Sequence, residues 1–288
     1  MTSLRYVPGV VFDRSCGCSV DGTFSWVESL RTLDVYEGSS LPGLCAFLAE
    51  IESKLTSGDM PLVAPRVCGK NAVMWEGFSS PYLLVDCLNC APLKIDPSLF
   101  VCLGATLRSL HLLRKDASLL LERCRSVAEG SADYSAALEF ARSGGICWES
   151  YEYDDCSCLL HGRFSAAAVS VGSRGPALML SCDAGRGDAL YDVAQLLSEL
   201  WEFYSHHRSD AVAADGIKNF ASLFLLGYGL NEELEGFGVE KLERACFSRA
   251  CVHAALLAYV RKDSSILRRH IEQLESSTGF FDGLLEAR

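Results

Sequence analysis

One stretch of the chain, residues 157–194, constrains the fold more than any other. It contains two short apolar runs, Ala166–Val171 and Ala177–Leu180, on either side of the segment Gly-Ser-Arg-Gly-Pro at 172–176. Two β-forming runs separated by a Gly-rich loop are typical of a hairpin. The sequence therefore predicts a β-hairpin in the middle of the chain, and the residues around it can be interpreted from that position.

The turns on both sides of this hairpin have a distinctive spacing. A His-Gly turn precedes it, and a Gly-Asp turn and a predicted helix start with Tyr-Asp follow it. This frame resembles the catalytic core of the aminoglycoside phosphotransferase family, which are small-molecule kinases with a protein-kinase-like fold. The resemblance covers about residues 60–260. The frame residues are His161, Gly162, Gly187, Asp188, Tyr191, Asp192 and Ala194.

The positions that carry the reaction in that family are different here. The family has an Asp after His-Gly, an Asn five residues later, and an Asp at the end of the second hairpin strand. The equivalent positions hold Arg163, Ala168 and Leu180. Phosphoryl transfer uses a carboxylate that accepts the substrate proton and oxygen ligands that hold Mg²⁺. An arginine stays protonated and cannot act as that base. The sequence therefore predicts a degenerate phosphotransferase with no catalytic residues and no metal site.

The resemblance implies an α+β, protein-kinase-like bilobal fold. We expect a small β-containing N-lobe over residues 1–90 and a large, mainly helical C-lobe over 91–288 that includes the remnant catalytic-loop hairpin at 158–183. In the N-lobe we predict a helix over 41–56, turns at Cys16-Gly17-Cys18 and Asp21-Gly22, and a hinge near Leu88–Leu93. The predicted N-lobe strands are Leu4–Phe12, Thr23–Leu30, Asn71–Trp75 and Tyr82–Cys87. The predicted C-lobe helices are 97–114, 116–129, 132–143, 191–206, 217–230, 239–259 and 264–275.

The N-lobe lacks a second residue that the family uses. There, one strand carries a Lys that holds the nucleotide phosphates, and a helix carries a Glu that pairs with it. No Lys precedes Lys54 in this chain, and Glu28 and Ser29 stand about where that Lys is expected. Without the Lys, Glu50 and Glu52 are interpreted as residues of a solvated helix face.

Three charged residues are candidates for the cleft, namely Arg163, Asp183 and Asp188. Arg163 either binds an anion, in place of the metal's positive charge, or forms an ion pair with one of the two aspartates. His161, Gly162, Tyr191 and Asp192 are predicted to have structural roles in the loops and at the helix start. His111, on an apolar helix, is predicted to be a packing residue.

Composition excludes several classes of function. A net charge of -11 argues against nucleic acid or an anionic membrane as the partner. No run reaches the roughly 20 apolar residues that span a bilayer, and no signal peptide is evident, so a cytoplasmic location is expected. The 14 cysteines are then expected to stay reduced. The pairs Cys16/Cys18 and Cys156/Cys158 match zinc-site spacing poorly. Cys87/Cys90 has the spacing of a redox or metal half-site, but it lies at the predicted hinge without a second pair, so these thiols are interpreted as incidental.

The leading functional prediction is a pseudokinase, not an enzyme, that serves as a binding or scaffold subunit for a protein, a peptide or a small molecule. No cofactor is expected, although ATP without Mg²⁺ is compatible with the fold because the family's hinge binds adenine through backbone groups. The alternative is an atypical ATP-dependent phosphotransferase that acts on a small-molecule or peptide hydroxyl through Asp183 or Asp188. A third class is a thiol-based sensor that uses the many cysteines.

Overall fold

The computed structural model describes residues 14–19, 22–29, 41–55, 60–69, 72–113, 132–153, 158–229 and 238–284. Its first part is built on an antiparallel sheet with the strand order β1-β2-β5-β4. These strands are β1 (Arg14–Cys18), β2 (Phe24–Ser29), β4 (Arg66–Gly69) and β5 (Ala72–Phe78). Helix α1 (Leu41–Lys54) follows β2.

The predictions for this sheet and its helix are confirmed at β2 and α1 and are wrong at β1. Strand β2 and helix α1 lie where the alternating and helical apolar patterns indicated. The predicted turn at Cys16-Gly17-Cys18 is wrong, because these residues form β1 and pair with β2. Gly17 suggested a turn, but the cross-strand pairing overrides this local preference. The predicted strand Leu4–Phe12 lies outside the described residues.

The predicted hairpin is present and is joined to the first part of the chain. It consists of β7 (Val169–Gly172) and β8 (Gly175–Met179). The short strand β3 (Leu62–Val63) pairs in parallel with β8. Ala166–Ala168, predicted as the start of the first hairpin strand, form a 3-10 turn instead. Two further strands, β6 (Cys158–Leu160) and β9 (Gly185–Gly187), precede and follow this unit in the sequence and pair with each other in antiparallel orientation.

The prediction of a strand at Tyr82–Cys87 is wrong, because Leu84–Cys90 form helix α2. The Asp86 carboxylate accepts a hydrogen bond from the Leu83 amide, which satisfies a free N–H group at the helix start. Helix α2 packs against β7 and the 3-10 turn. It also occupies part of the predicted hinge, so the connection from β5 is the segment 79–83. The domain division at residue 90 stays a prediction.

The second part of the chain is helical, as predicted. Its helices form a large apolar core in which Phe100, Trp201 and Phe224 are fully buried. The predicted helix at 116–129 lies outside the described residues. None of the described helices is long and apolar enough to cross a bilayer. The helices are α3 (Ser98–Leu112), α4 (Ala132–Ser143), α5 (Leu190–His206), α6 (Ala211–Tyr228), α7 (Gly238–Arg261) and α8 (Ser264–Glu275).

Candidate functional site

The loop before the hairpin is held by Asp192 in the first turn of α5. The Asp192 carboxylate is fully buried and accepts hydrogen bonds from the His161 amide at 2.6 Å and the Gly162 amide at 2.9 Å. The His111 Nε2 atom lies 3.2 Å from the same carboxylate, and its Nδ1 atom lies 2.7 Å from the Tyr228 hydroxyl. A buried carboxylate needs such partners, because without them its loss of hydration is very unfavourable. His111 and Asp192 therefore connect α3, α5 and the loop.

Gly162 and His161 fit this loop for steric and hydrogen-bonding reasons. Gly162 has a φ of 77°, and a Cβ atom there would overlap the Asp183 carbonyl oxygen. The His161 Nε2 atom lies 2.9 Å from the Met179 carbonyl oxygen, while the Arg163 amide donates to His161 Nδ1 at 3.3 Å. These contacts fit a neutral ring with its proton on Nε2. Burial lowers the pKa of His161, which also favours the neutral form.

Arg163 lies between two carboxylates. Its Nη1 atom donates to Glu28 Oε1 at 2.7 Å, and its Nη2 atom pairs with the Asp183 carboxylate. Glu28 is nearly buried, with 6% of its side chain exposed, whereas the Asp183 side chain is 47% exposed. Burial alone would lower the pKa of the Arg163 guanidinium, but Asp183 and Glu28 raise it above its ordinary value. Of the two roles considered for Arg163, the structure shows the ion pair.

The structure brings together Arg163 and Asp183, whereas the described contacts of Asp188 are with the start of α5. Asp188 is buried, its Oδ1 atom accepts from the Leu190 amide at 2.9 Å, and its carbonyl accepts from the Tyr191 amide. It therefore supports the start of α5. The sequence interpretation missed Glu28 as the partner of Arg163. The available signal was its place on β2, where an acidic residue replaces the Lys that the resemblance leads us to expect.

The other two positions that the sequence predicts to be degenerate have apolar side chains and structural backbone contacts. Ala168 is buried in the 3-10 turn, and its amide donates to the Ser165 carbonyl. Leu180 is buried after β8, where its amide donates to the Val63 carbonyl. Its own carbonyl accepts from Trp75 Nε1 at 3.0 Å. In the part of the chain that the structure describes, no group of three or more His, Cys, Asp or Glu is arranged to hold a metal ion.

Several polar groups of the connection between β5 and α2 form hydrogen bonds within the connection or with the hairpin. The Tyr82 carbonyl accepts from the Val171 amide of β7 at 3.0 Å, and the Tyr82 amide donates to Ser80 Oγ. Ser79 Oγ accepts from the Arg174 amide of the hairpin turn. These contacts attach the connection to the hairpin, so the Tyr82 backbone groups are already paired within the chain.

Buried polar side chains of α5 and α7 form hydrogen bonds beside the loop. The Glu199 carboxyl accepts from the Ala166 amide at 2.8 Å, and burial raises the pKa of Glu199 well above its usual value. Arg249 of α7 donates to the Tyr191 hydroxyl at 3.0 Å, and its guanidinium carbon lies 4.3 Å from the centre of that ring. Tyr191 is thus held in place, as expected for a structural residue. Glu199 was missed, because an acidic residue inside an amphipathic helix gives no clear signal.

The described cysteines are free thiols, and none of them forms a disulfide within the described residues. Cys16 and Cys18 are exposed on β1, and Cys87 and Cys90 lie in α2, while Cys156 is outside the described residues. Desolvation raises the pKa of several thiols, which favours their protonated form. The thiols with a raised pKa are Cys16, Cys45, Cys87, Cys182, Cys246 and Cys251.

Several solved structures share this fold. The ADP-bound aminoglycoside phosphotransferase APH(2'')-Ib has a TM-score of 0.50 and 16% sequence identity, over 93% of this chain and 94% of that chain. Amicoumacin kinase hAmiN in complex with AMP-PNP and Ca²⁺ has a TM-score of 0.55 and 14% identity, over 92% and 85% of the two chains. A glucosamine kinase has a TM-score of 0.52 and 12% identity, over 94% and 77%.

At the level of sequence the comparisons find no counterpart, since no family model and no curated protein sequence matches the chain. The structural likeness extends over almost the whole chain. The chain therefore has the bilobal, protein-kinase-like α+β fold of aminoglycoside phosphotransferases and related small-molecule kinases, which confirms the fold that the resemblance implied.

Proposed function

We propose that this protein is a pseudokinase, a non-catalytic binding or scaffold subunit that does not transfer phosphoryl groups from Mg²⁺-ATP. The observation that carries the proposal is the pairing of Arg163 with Glu28 and Asp183. Arg163 replaces the catalytic base that the resemblance leads us to expect, and Glu28 stands where a phosphate-binding Lys is expected. The two charges have thus exchanged places, and the resulting ion pair satisfies both side chains within the protein.

The charge of this cluster disfavours a nucleoside triphosphate. Glu28 and Asp183 each carry one negative charge and Arg163 carries one positive charge, so the cluster has a net charge of about -1. The resemblance implies that the cluster lies beside the position where phosphates bind in a kinase of this fold. Like charges at close range repel strongly in a partly desolvated site. The solved counterparts bind ADP or AMP-PNP. This chain would need a metal ion to offset the repulsion, and Ala168 and Leu180 supply no side-chain ligand for one.

The proposed partner is a protein or a peptide, with a small molecule as the other class. The residues that shape the loop, including Gly162 and Asp192, are kept and form hydrogen bonds or close contacts. A preserved scaffold with an altered reaction centre is expected of a protein that acts through its shape. The net charge of -11 again argues against nucleic acid and anionic membranes as partners.

Thermal unfolding of the whole chain with ATP, in the presence and absence of Mg²⁺, tests this proposal. A ligand that binds only the native state must raise the unfolding midpoint. We expect no shift with Mg²⁺-ATP at millimolar concentration. A small shift that is independent of Mg²⁺ would indicate a nucleotide-binding pseudokinase and would leave the scaffold role intact. A clear Mg²⁺-dependent shift would overturn the proposal.

A second candidate is the atypical ATP-dependent phosphotransferase. Asp183 favours it, because almost half of this side chain is exposed beside Arg163, whereas Asp188 is buried in backbone hydrogen bonds. The test is phosphate release or transfer from ATP, measured by mass spectrometry for the wild type and for Asp183→Asn. We expect both proteins to match the rate without protein. A wild-type rate that Asp183→Asn abolishes would establish the second candidate.

A further inference from the structure

Two tryptophans share the face of the sheet that looks toward the loop. Trp26 and Glu28 are two residues apart on a regularly paired part of β2, so their side chains point to the same face. The contact of Glu28 with Arg163 shows that this face is turned toward the loop. Trp75 lies directly opposite Trp26 on β5, and its indole N–H donates to the Leu180 carbonyl.

Trp26 occupies a definite position along this face. Toward one end of β2, Phe24 pairs with Phe78, the last residue of β5, which the connection 79–83 follows. Toward the other end, Glu28 reaches Arg163. Trp26 lies between these two ends, and 91% of its area is buried. A large flat side chain is therefore buried in the apolar core at a position of the sheet between the strand end that leads to the connection and the ion pair.

We infer that Trp26 is an internal plug, which excludes from the cleft any planar heteroaromatic ring that would bind between the connection 79–83 and Arg163. This inference rests on the proposed function and deepens it, because it adds exclusion by shape to exclusion by charge. Indole and purine are both fused six- and five-membered rings of similar size. A purine base therefore needs about the volume that the Trp26 side chain already fills.

The two exclusions act on different parts of a nucleotide. The Glu28–Arg163–Asp183 cluster repels phosphates, whereas Trp26 acts only on the base. An uncharged nucleoside therefore responds to the plug alone. Replacing a buried tryptophan with a small residue leaves an apolar cavity, and such cavities take up ring compounds of matching shape. Removing the plug should thus open a site for a nucleoside even while the charged cluster is intact.

The experiment compares Trp26→Ala with a matched control, Trp201→Ala. Trp201 is also buried, but it lies in the helical part, where its indole N–H donates to Ser277. Unfolding midpoints are measured for the wild type and both variants with adenosine and with indole, each at about 1 mM. Trp26→Leu and Trp201→Leu form a second matched pair in case either alanine variant does not fold.

The expected result is that adenosine raises the midpoint of the Trp26 variant by a few degrees and leaves the wild type and the Trp201 variant unchanged. Indole should stabilise both variants, because either cavity fits it. A Trp26 variant that responds to indole alone, or to neither compound, would overturn the plug, since its cavity would not form part of an accessible cleft. A wild type that responds to adenosine as strongly as the variant would also overturn it.

These outcomes separate the plug from the proposed function. The plug fails on the adenosine response of the Trp26 variant, with the charged cluster unchanged. The proposed function fails on a Mg²⁺-dependent ATP response of the wild type. Either failure can occur alone.

Discussion

Asp192 and Arg163 are each the centre of a small charged cluster at the loop before the hairpin. Asp192 is fully buried, and its described partners are the amides of His161 and Gly162 and the ring of His111. Arg163 is partly exposed, and its partners are two carboxylates. One of these, Glu28, belongs to the sheet and is separated from Arg163 by 135 residues of sequence.

The difference shows that one cluster holds the loop to the helical part of the chain and the other connects it to the sheet. The Asp192 cluster holds the shape of the loop and resembles the frame of a kinase. The Arg163 cluster stands at a position that carries the chemistry in such a kinase, and here it connects the loop to the sheet. The buried contacts of Asp192 and the contact of Arg163 with Glu28 therefore fix the same loop from two different elements.

Breaking the Asp192 cluster should have the largest effect. Asp192→Ala leaves two amides and the His111 ring without their acceptor, so we expect a loss of about 3–5 kcal/mol in the free energy of unfolding. Urea denaturation measures it. Asp215→Ala, at an exposed position on α6, is the control and should change stability by less than about 0.5 kcal/mol. Equal effects at the two positions would remove the distinction drawn between the clusters.

The contact between the sheet and the end of the hairpin should rank next. Trp75→Phe removes the indole N–H that pairs with the Leu180 carbonyl, and we expect a loss of about 1–3 kcal/mol. The control, Trp201→Phe, loses a similar bond to Ser277 inside the helical part. Hydrogen exchange should then show faster opening of β5 and β8 in Trp75→Phe only. Faster exchange of these strands in the control as well would argue against a specific connection.

The free energy of unfolding should depend moderately on pH and should fall in acid. Burial lowers the pKa of His161. Burial and the nearby Arg249 and His270 lower the pKa of His253 well below its usual value. The unfolded chain takes up these protons near pH 6.5, so stability is complete above that pH and falls below it. Each histidine contributes at most about 1.4 kcal/mol per pH unit.

Glu199 acts in the opposite direction and provides the control. Because its pKa is raised in the folded state, its contribution to stability is present at low pH and is lost as the pH rises above about 4.5. Glu199→Gln should therefore lose stability more steeply than the wild type between pH 7 and 5.5, and His253→Gln should lose it less steeply. Thermal melts across this range measure both slopes. Slopes that are unchanged in both variants would exclude these two groups as the cause.

The exposed half of the Arg163 cluster should matter least. Asp183→Ala removes an ion pair whose acidic partner is nearly half exposed, so we expect a loss below about 1 kcal/mol. The surface pair Arg66–Glu76 is the control, and Glu76→Ala should be near zero. Chemical denaturation in 0.1 M and 1 M salt measures both, since screening weakens such pairs. An Asp183 effect above 2 kcal/mol would show that this pair is structural.

The sequence predicts the fold well because the frame depends on local chemistry. A turn that needs glycine at 162 and a helix start with Asp192 leave a spacing that is readable in one chain. Prediction from the sequence fails where contacts between distant segments determine the structure. The apolar run before Asp86 fits a strand or a buried helix equally well, and its packing against the hairpin selects the helix. The Glu28–Arg163 contact joins distant segments, so no local pattern indicates it.

The measurement that tests the central claim most directly is a charge-reversal cycle on Glu28 and Arg163. The variants are Glu28→Arg, Arg163→Glu and the double variant with both changes, each compared with the wild type by urea denaturation. If the two side chains form a structural ion pair, each single reversal is destabilising and the double variant recovers at least about 1–3 kcal/mol relative to the sum of the singles. Additive losses, with no recovery in the double variant, would contradict the account.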